Sequence, residues 1–211
     1  MMDNPWKNIK AIEYEGHMKF IQQHDLLNLI FKEQISELCF DTIGILGIGC
    51  GNGLEHIKSD TIVYGYDINR GFLNECQKVY GDLNIKLILK ETDLTLRDAN
   101  ICPCDVLISN LVVEYIGKYN FIHIIKKCKP RYVSVVLQMT FDKDKAISES
   151  PYKKILNNIS VIRTEIFPQD LTSTLELIGY KLMNSKTYEI TPFKSFIRMD
   201  FSCYSLLNPS Q

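Results

Sequence analysis

The sequence has almost no net charge, since 24 Lys and Arg residues oppose 25 Asp and Glu residues in a chain of 211 residues. Proteins that bind nucleic acids usually present excess positive charge to the phosphate backbone, so we expect no nucleic-acid partner. The sequence also lacks any run near the ~18 to 20 consecutive apolar residues that cross a bilayer. Its first residues lack the basic and then apolar pattern of a secretory signal. These absences predict a cytoplasmic protein with no membrane partner.

The seven cysteines are an odd number and lie mostly among apolar residues, which favours free buried thiols over disulfides. Cys102 and Cys104 form a close pair, but a single residue separates them and no second pair of Cys or His residues accompanies them. A zinc site needs a wider spacer and that second pair, so we expect no metal. With 45% hydrophobic residues, the chain can bury a large core in one elaborated domain.

Short β-rich runs alternate with helical segments between residues 41 and 139, which predicts βαβ units and a parallel sheet. The apolar residues of these runs are consecutive, as in strands that are covered on both faces. The predicted strands are residues 42–48, 61–67, 85–89, 105–109 and 132–137. The predicted helices between them are residues 53–58, 69–80 and 119–128, with Asn69 as an N-cap.

Residues 1–40 precede this unit and form a predicted helical arm that packs on residues 41–211, the single main domain. Apolar residues at the helical period follow Asp25, a second predicted N-cap, and a shorter helical segment covers residues 15–22. After the alternating region, the sequence predicts a helix over residues 168–177 and strands over 181–190 and 193–204.

The most informative segment passes from an apolar strand into glycines at alternate positions, Gly47-Ile48-Gly49-Cys50-Gly51-Asn52-Gly53. Glycines permit positive φ and let a ligand approach the backbone closely. In an open parallel sheet, the carboxyl end of the first strand borders the ligand crevice. The spacing fits neither the G-x-G-x-x-G of dinucleotide-binding proteins nor the Gly-Lys-Ser/Thr of a phosphate-binding loop. A nucleoside with an amino-acid moiety therefore suits this loop better than a pyrophosphate.

Acidic residues follow the next two predicted strands. Asp67 lies 18 residues after Gly49, close to the ~20 expected for a carboxylate that accepts hydrogen bonds from ribose hydroxyls. A carboxylate suits that task because it only accepts hydrogen bonds and has two oxygens. Asp93 follows the third strand and could accept the exocyclic amine of adenine. Alternatively, Asp67 caps the next helix and Asp93 is an ordinary loop acid.

In this order, the glycine loop, Asp67, Asp93 and residues 104–115 resemble the class I S-adenosylmethionine-dependent methyltransferases, over roughly residues 41–139. The resemblance implies a Rossmann-like, seven-stranded, mostly parallel sheet with helices on both faces and an antiparallel last strand. It implies S-adenosylmethionine as the cofactor, bound by Gly47, Gly49, Cys50, Gly51, Gly53, Asp67, Ile68, Asp93, Leu94, Asn110 and Leu111. The family's glycine motif usually opens with Asp or Glu, whereas this sequence has Gly47 there.

Methyl transfer from a sulfonium is an in-line displacement, so positioning and the exclusion of water supply much of the catalysis. A general base is needed where the accepting atom loses a proton. The candidates, in order of preference, are Glu114, Tyr115 and then His17, with His24 and Tyr14 also considered. The last three lie on the arm, which in similar enzymes often folds over the cofactor as a lid. The alternative is structural: a surface glutamate, a half-buried tyrosine and exposed arm histidines.

The sequence therefore predicts an S-adenosylmethionine-dependent methyltransferase of a small molecule, acting as a monomer or homodimer. Amide and adenine nitrogens are disfavoured as acceptors because Ser109-Asn110-Leu111-Val112 lacks the prolines of an Asn-Pro-Pro-Tyr tetrapeptide. The alternative is a noncatalytic module that binds S-adenosylmethionine or a nucleoside, or a partner subunit, motivated by Gly47 and the lack of a secure base. A nicotinamide oxidoreductase is a third hypothesis, which the glycine spacing disfavours.

Overall fold

The fold is built on a seven-stranded sheet, seen in a computed structural model that describes residues 4–140 and 147–204. The strands are β1 (Thr42–Leu46), β2 (Ile62–Asp67), β3 (Lys86–Glu91), β4 (Val106–Asn110), β5 (Tyr132–Thr140), β6 (Tyr180–Thr191) and β7 (Lys194–Cys203). The α-helices are α1 (Ala11–Phe20), α2 (Gln23–Ile35), α3 (Arg70–Tyr80), α4 (Val113–Ile116), α5 (Lys118–Cys128), α6 (Lys153–Ser160) and α7 (Pro168–Glu176). A 3-10 helix over Pro5–Asn8 begins the arm.

The strand order is β3-β2-β1-β4-β5-β7-β6. Strands β1 to β5 pair in parallel, and β7 runs antiparallel to β5 and β6. The predicted mostly parallel, seven-stranded Rossmann-like sheet with an antiparallel last strand is therefore confirmed. The order of the strands reverses between β1 and β4, so a crevice opens beyond the carboxyl ends of these two strands.

Helices cover both faces of the sheet because its central strands are apolar on both sides. On one face, Ile43 of β1 belongs to a core cluster with Phe31 of α2 and Leu73 of α3. On the other face, Leu46 of β1 belongs to a cluster with Phe121 of α5. Ile45 belongs to the first cluster and its neighbour Leu46 to the second, so adjacent residues of β1 enter opposite cores, as the two-residue period of a strand requires.

Local sequence features set most of the helix and strand boundaries. The predicted N-cap Asn69 is confirmed, since its Oδ1 accepts the N–H of Phe72 at 3.2 Å at the start of α3. Asp25 is not an N-cap, so that prediction is wrong. Helix α2 already begins at Gln23, because Gln22 adopts φ +59° and reverses the chain after α1.

The predicted helix over residues 53–58 is also wrong, because only one 3-10 turn, Leu54–His56, forms there. Gly51 and Gly53 adopt φ values of +90° and +100°, which no right-handed helix accommodates. Helix α6 was not predicted, because its eight residues are too few for a clear helical period.

Hydrogen bonds fasten the arm to the main domain along its length, including near both of its ends. Near the start of the arm, Asn69 Nδ2 donates to the carbonyl oxygens of Trp6 and Ile9, at 2.7 and 2.8 Å. Near its end, Gln34 Nε2 donates to Asn110 Oδ1 and Ser134 Oγ, both at 2.8 Å. The arm is therefore fixed across the carboxyl ends of the central strands.

All seven cysteines are free thiols, as predicted, but only Cys50, Cys76, Cys104 and Cys128 are buried, whereas Cys39 is exposed. Within residues 4–140 and 147–204, none of the helices has both the length and the apolar character that a membrane crossing requires.

Candidate functional site

A cleft lies between the arm and the carboxyl ends of β1, β2 and β4, and we call it the main cleft. It encloses about 1170 Å³ of empty space when its open mouth is included, which accommodates a ligand of nucleoside size. Gly47 and Gly49 of the glycine loop line the main cleft. Trp6, Tyr14 and His17 of the arm also line it. A smaller space of about 660 Å³, the loop hollow, lies between the arm and the glycine loop.

The four predicted cofactor-binding glycines serve different purposes. Gly49 lines the main cleft, and apart from its chain neighbours no described residue has an atom within 4 Å of the place where its Cβ would be, so a ligand can approach its backbone. A Cβ on Gly51 would lie 2.7 Å from Cys76 Sγ, and one on Gly53 would lie 2.8 Å from the Phe31 ring. Gly51 borders the loop hollow, whereas Gly53 lines neither space. Neighbouring side chains thus leave no room for a Cβ at Gly51 or Gly53, which explains why glycine occupies these two positions.

Gly47 shows why this chain has no acid at the start of its glycine motif. It adopts φ +62°, and a Cβ at this position would lie 2.3 Å from Val112 Cγ2. An Asp or Glu would therefore clash with Val112 and also adopt a strained backbone conformation. Gly47 lines both the main cleft and the loop hollow, so its backbone still faces the site.

Cys50 lies on the loop hollow and not on the main cleft. It is buried, and burial together with the nearby Glu15 carboxylate raises the pKa of its thiol. The thiol therefore stays protonated and weakly nucleophilic, so Cys50 offers the site only backbone and packing contacts.

Asp67 lies on the main cleft at the carboxyl end of β2. Its Oδ2 accepts the N–H of Gly49 and its Oδ1 accepts the N–H of Asn69, both at 2.9 Å. Burial raises the pKa of the carboxyl to about 6, although backbone N–H groups oppose that rise. A carboxylate offers about four lone-pair sites, so Asp67 both fixes the glycine loop and keeps acceptor capacity for a ligand. It does not cap α3, since Asn69 does.

The loop after β3 places Asp93 and Leu94 on the main cleft, and Ile68 lines it next to Asp67. Asp93 Oδ1 accepts hydrogen bonds from the backbone N–H and the hydroxyl of Thr95, at 3.0 and 2.6 Å. These two hydrogen bonds use only one of the two carboxylate oxygens of Asp93. Asp93 is thus a loop acid that can also offer its second oxygen to a ligand.

Asn110 and Leu111 line the main cleft where β4 ends. The side-chain amides of Asn110 and Gln34 exchange two hydrogen bonds, at 2.8 and 2.9 Å, which fixes the orientation of both. Leu111 adopts φ +58°, a conformation that costs a non-glycine residue free energy. Such strain is common where a chain must present its backbone or side chain to a ligand.

Glu114 is buried, with 2% of its surface exposed, so the alternative interpretation of a surface glutamate is wrong. It lines the main cleft, and its Oε1 accepts the backbone N–H of Gln138 at 2.7 Å. Its Oε2 has no hydrogen-bond partner among the described residues. Burial raises the pKa of this carboxyl, while the positive charge of Arg163 opposes the rise. A buried carboxyl with one unsatisfied oxygen can accept a hydrogen bond from a water or from a ligand in the cleft.

His17 and Tyr115 also line the main cleft. His17 is buried rather than exposed, which corrects the alternative interpretation of an exposed arm histidine. Its Nδ1 lies 2.7 Å from Ser150 Oγ, and burial together with the charge of Lys194 lowers its pKa to about 4. Burial raises the pKa of the Tyr115 hydroxyl, and its ring packs edge-on against Trp6 at 5.1 Å. Both side chains are therefore neutral near pH 7.

The other two candidate bases, His24 and Tyr14, make contacts that favour a structural role. His24 lies on the loop hollow, with its Nε2 3.5 Å from a carboxylate oxygen of Glu15. Tyr14 belongs to an aromatic cluster on the main cleft, with ring centroids 5.8 Å from Trp6 and 5.1 Å from Phe72. Burial raises the pKa of the Tyr14 hydroxyl, which disfavours its use as a base.

The main cleft also contains polar residues that were not predicted from the sequence, among them Gln23, Arg163 and Lys194. Gln23 is 4% exposed and its Nε2 has no hydrogen-bond partner within residues 4–140 and 147–204. A buried amide donor without a partner is rare in proteins and indicates a ligand contact. No motif marks these residues, because they lie far from the glycine loop in the sequence or, for Gln23, in the first turn of an arm helix.

Neither protein-family models nor curated proteins match the sequence. Its fold, in contrast, matches solved structures. Magnesium protoporphyrin IX methyltransferase from Synechocystis PCC 6803, solved with bound S-adenosylhomocysteine, is similar over 93% of this chain and 88% of its own, with a TM-score of 0.60 and 14% identity. The chain has the class I methyltransferase fold. The similarity at this low identity shows that fold and leaves the reaction to be argued from the site.

Two further structures with this fold show how varied its members are. The cyclopropane synthase MmaA2 from Mycobacterium tuberculosis covers 86% of this chain and 83% of its own, with a TM-score of 0.63 and 11% identity. The cyclase SpnF covers 85% of this chain and 81% of its own, with a TM-score of 0.59 and 8% identity. Proteins with this fold are thus named as a methyltransferase, a cyclopropane synthase and a cyclase.

Proposed function

We propose that this chain is an S-adenosylmethionine-dependent methyltransferase that acts on a small molecule. The observation that carries the proposal is the carboxylate of Asp67, which faces the main cleft beside the open backbone of Gly49. A carboxylate suits the two hydroxyls of a ribose, because it accepts hydrogen bonds through two oxygens. Structures with this fold have been solved with bound S-adenosylmethionine and S-adenosylhomocysteine, which supports the choice of cofactor.

Other groups of the main cleft fit the remaining parts of this cofactor. Asp93 offers an acceptor to the exocyclic amine of the adenine. The unpartnered Nε2 of Gln23 suits a carboxylate oxygen of the methionine part. Asn110 is fixed by Gln34 and presents a polar edge at the end of β4. The assignments of Asp93 and Gln23 each place a donor against an acceptor, so these residues fit S-adenosylmethionine.

Bound S-adenosylmethionine supplies a methyl group on a positively charged sulfur. The protein's own contribution is to orient the two reactants and to exclude water, which accounts for much of the rate of such a displacement. The arm covers the main cleft, and Trp6 packs edge-on against both Tyr14 and Tyr115 to form an aromatic wall. A cleft covered in this way suits a small acceptor better than a polymer.

We assign the role of general base to Glu114. Its Oε1 is fixed by Gln138, so its Oε2 is the atom that receives a proton from the acceptor. Burial raises the pKa of the carboxyl and thereby makes its ionised form a stronger base. His17 suits this task less well because its pKa of about 4 makes it a weak base. Tyr115 suits it less well because burial disfavours its phenolate.

Calorimetric titration of the purified protein with S-adenosylmethionine, S-adenosylhomocysteine and NADH tests the cofactor assignment. We expect micromolar binding of the two sulfur ligands and no binding of NADH. A screen of small acceptors for release of S-adenosylhomocysteine then tests catalysis. Folded protein, free of carried-over cofactor, that binds neither sulfur ligand would refute the proposal.

A noncatalytic module that binds S-adenosylmethionine is the second candidate, because Val112 fills the position where the family's glycine motif usually presents an acid. Such a module would bind the cofactor and release no S-adenosylhomocysteine with any acceptor. A cytoplasmic location, and a monomeric or homodimeric state, remain parts of the first proposal. Light scattering during size-exclusion chromatography measures the oligomeric state.

A further inference from the structure

The loop hollow adjoins the main cleft along the glycine loop. Gly47 and Gly49 line both spaces, and so does Asn110 at the end of β4. A ligand that lies in the main cleft and extends along the glycine loop therefore reaches the loop hollow. The side chains of the hollow decide which end of such a ligand fits there.

Glu15 of α1 is the acid that lines the loop hollow, among the residues that the structure describes. The acids that line the main cleft in the same part of the chain are Asp67, Asp93 and Glu114, and the proposed function gives each of them a role. One polar group of S-adenosylmethionine has no assigned partner, the ammonium of its amino-acid part. An ammonium carries three N–H donors, so it needs acceptors.

The carboxylate of Glu15 keeps acceptor capacity for such a group. Its side chain is 21% exposed, and it lies 3.5 Å from His24 Nε2 and 4.0 Å from Lys19 Nζ. Both distances exceed the ~2.7 to 3.2 Å of an N–H···O hydrogen bond. Burial, and after it the charge of Glu15, raises the pKa of the Cys50 thiol, which also lines the hollow. The negative charge of Glu15 therefore acts inside the hollow.

The turn between α1 and α2 brings a hydrogen-bond donor close to Glu15. Gln22 adopts φ +59° and reverses the chain, so that His24 of α2 meets Glu15 of α1. Asn52 Nδ2 donates to the backbone oxygen of His24 at 2.8 Å, which fastens this turn to the glycine loop. Gln23, next to His24, has the unpartnered Nε2 that we assign to the carboxylate of the cofactor.

This arrangement suits the end of an amino acid. Its ammonium and its carboxylate are attached to the same carbon atom, so they need an acceptor and a donor that lie near each other. The glycine loop itself cannot provide the acceptor at position 47, because a Cβ there would lie 2.3 Å from Val112 Cγ2. An acidic partner for the ammonium therefore has to come from another element, and Glu15 borders the loop hollow together with Gly47.

We propose that the carboxylate of Glu15 binds the ammonium group of S-adenosylmethionine, so that the arm supplies an acid that the glycine loop cannot carry. This inference rests on the function proposed above. It gives the arm a direct part in cofactor binding, in addition to covering the main cleft.

Two ligands that differ only in the ammonium group test the proposal: S-adenosylhomocysteine and its deaminated analogue, in which a hydrogen atom replaces the ammonium. Calorimetry measures the binding of both ligands to the wild type and to Glu15→Gln. The substitution should weaken binding of S-adenosylhomocysteine by roughly tenfold or more, because it removes a hydrogen bond between charged groups. It should not weaken binding of the deaminated analogue, which has no ammonium to lose a partner.

Glu13→Gln is the matched control. Glu13 lies on the same helix, its side chain is 23% exposed, and it lies 3.8 Å from Lys10 Nζ. It lines neither the main cleft nor the loop hollow, so this variant should bind both ligands as the wild type does. Thermal unfolding confirms that each variant is folded.

The results separate this proposal from the proposed function. An equal loss of affinity for both ligands in Glu15→Gln would show that Glu15 only supports the shape of the site, and would overturn its role as ammonium partner. Wild-type affinity of Glu15→Gln for S-adenosylhomocysteine would overturn that role as well. Either result would leave the methyltransferase proposal intact, whereas a wild-type protein that binds neither ligand would overturn both proposals.

Discussion

Replacing Asp67 by asparagine should weaken binding of S-adenosylmethionine by roughly 10- to 150-fold. Two of the approximately four lone-pair sites of the Asp67 carboxylate are used by the N–H groups of Gly49 and Asn69. The remaining sites are those we assign to the ribose hydroxyls. The loss of a hydrogen bond to a charged group costs about 1.5 to 3 kcal/mol, and each 1.4 kcal/mol is about tenfold in affinity.

Asp105→Asn is the matched control for this substitution. The Asp105 carboxylate also accepts backbone N–H groups, from Asp41 and Thr42, at 3.1 and 3.0 Å. It lies before β4, at the opposite end of the sheet from the main cleft, so its loss should lower stability and leave affinity unchanged. Calorimetry measures the affinity of both variants, and thermal unfolding measures their stability. Equal affinity of Asp67→Asn and the wild type would refute the ribose assignment.

The pH dependence of stability and of cofactor affinity gives a second test of the role of Asp67. The pKa of Asp67 is raised to about 6 in the folded protein, above about 3.9 in the unfolded chain. The folded state therefore binds this proton more tightly, and the contribution of Asp67 to the free energy of unfolding falls as pH rises from about 4 to about 6. Cofactor affinity should follow the opposite trend and fall below about pH 6, because a protonated carboxyl accepts fewer hydrogen bonds. Wild-type affinity that stays constant between about pH 7 and 5 would contradict this reasoning.

The remaining predictions concern three other positions. Glu114→Gln keeps an oxygen for the N–H of Gln138 and removes the base, so kcat should fall by about 10²- to 10⁴-fold with unchanged cofactor affinity; unaltered kcat would exclude Glu114 as the base. Gln23→Leu removes an unsatisfied buried donor, so the unliganded protein should gain about 1 kcal/mol of stability while calorimetry shows weaker S-adenosylmethionine binding; unchanged binding would remove Gln23 from the site. Gly47→Ala should lower stability by about 1 to 3 kcal/mol, and Val112→Ala in the same chain should restore part of it; a double variant no more stable than Gly47→Ala would contradict the steric explanation.

The parts of the fold that follow from local sequence could be predicted. Consecutive apolar residues in β1, β2, β4 and β5 indicate strands covered on both faces, and their alternation with helices indicates a parallel sheet. The crevice at the carboxyl end of β1 follows from that topology. The distance from Gly49 to Asp67 then places a carboxylate beside the glycine loop, where the 2.9 Å hydrogen bond between them is found.

Side-chain environments could not be predicted in the same way. Glu114 and His17 are buried, which contradicts their alternative interpretation as surface residues. Their surroundings include residues distant in the sequence, since His17 Nδ1 lies 2.7 Å from Ser150 Oγ and Glu114 Oε1 accepts the N–H of Gln138. The helix expected over residues 53–58 is missing because two glycines pack against Phe31 and Cys76 with positive φ. Gly53 was expected against the cofactor, and its position behind the loop likewise depends on α2.

The sequence by itself determined the sheet, the glycine loop and the acid at the end of β2. Each of these depends on residues that are close together in the chain and on the spacing of the apolar residues. Only the tertiary structure brought Gln23, Arg163 and Lys194 into one cleft with Glu114. Their burial and surroundings depend on contacts between segments that are distant in the chain, such as the contact of Lys194 with Ser148, 46 residues before it. Such contacts arise from the packing of the whole domain, which no local pattern records.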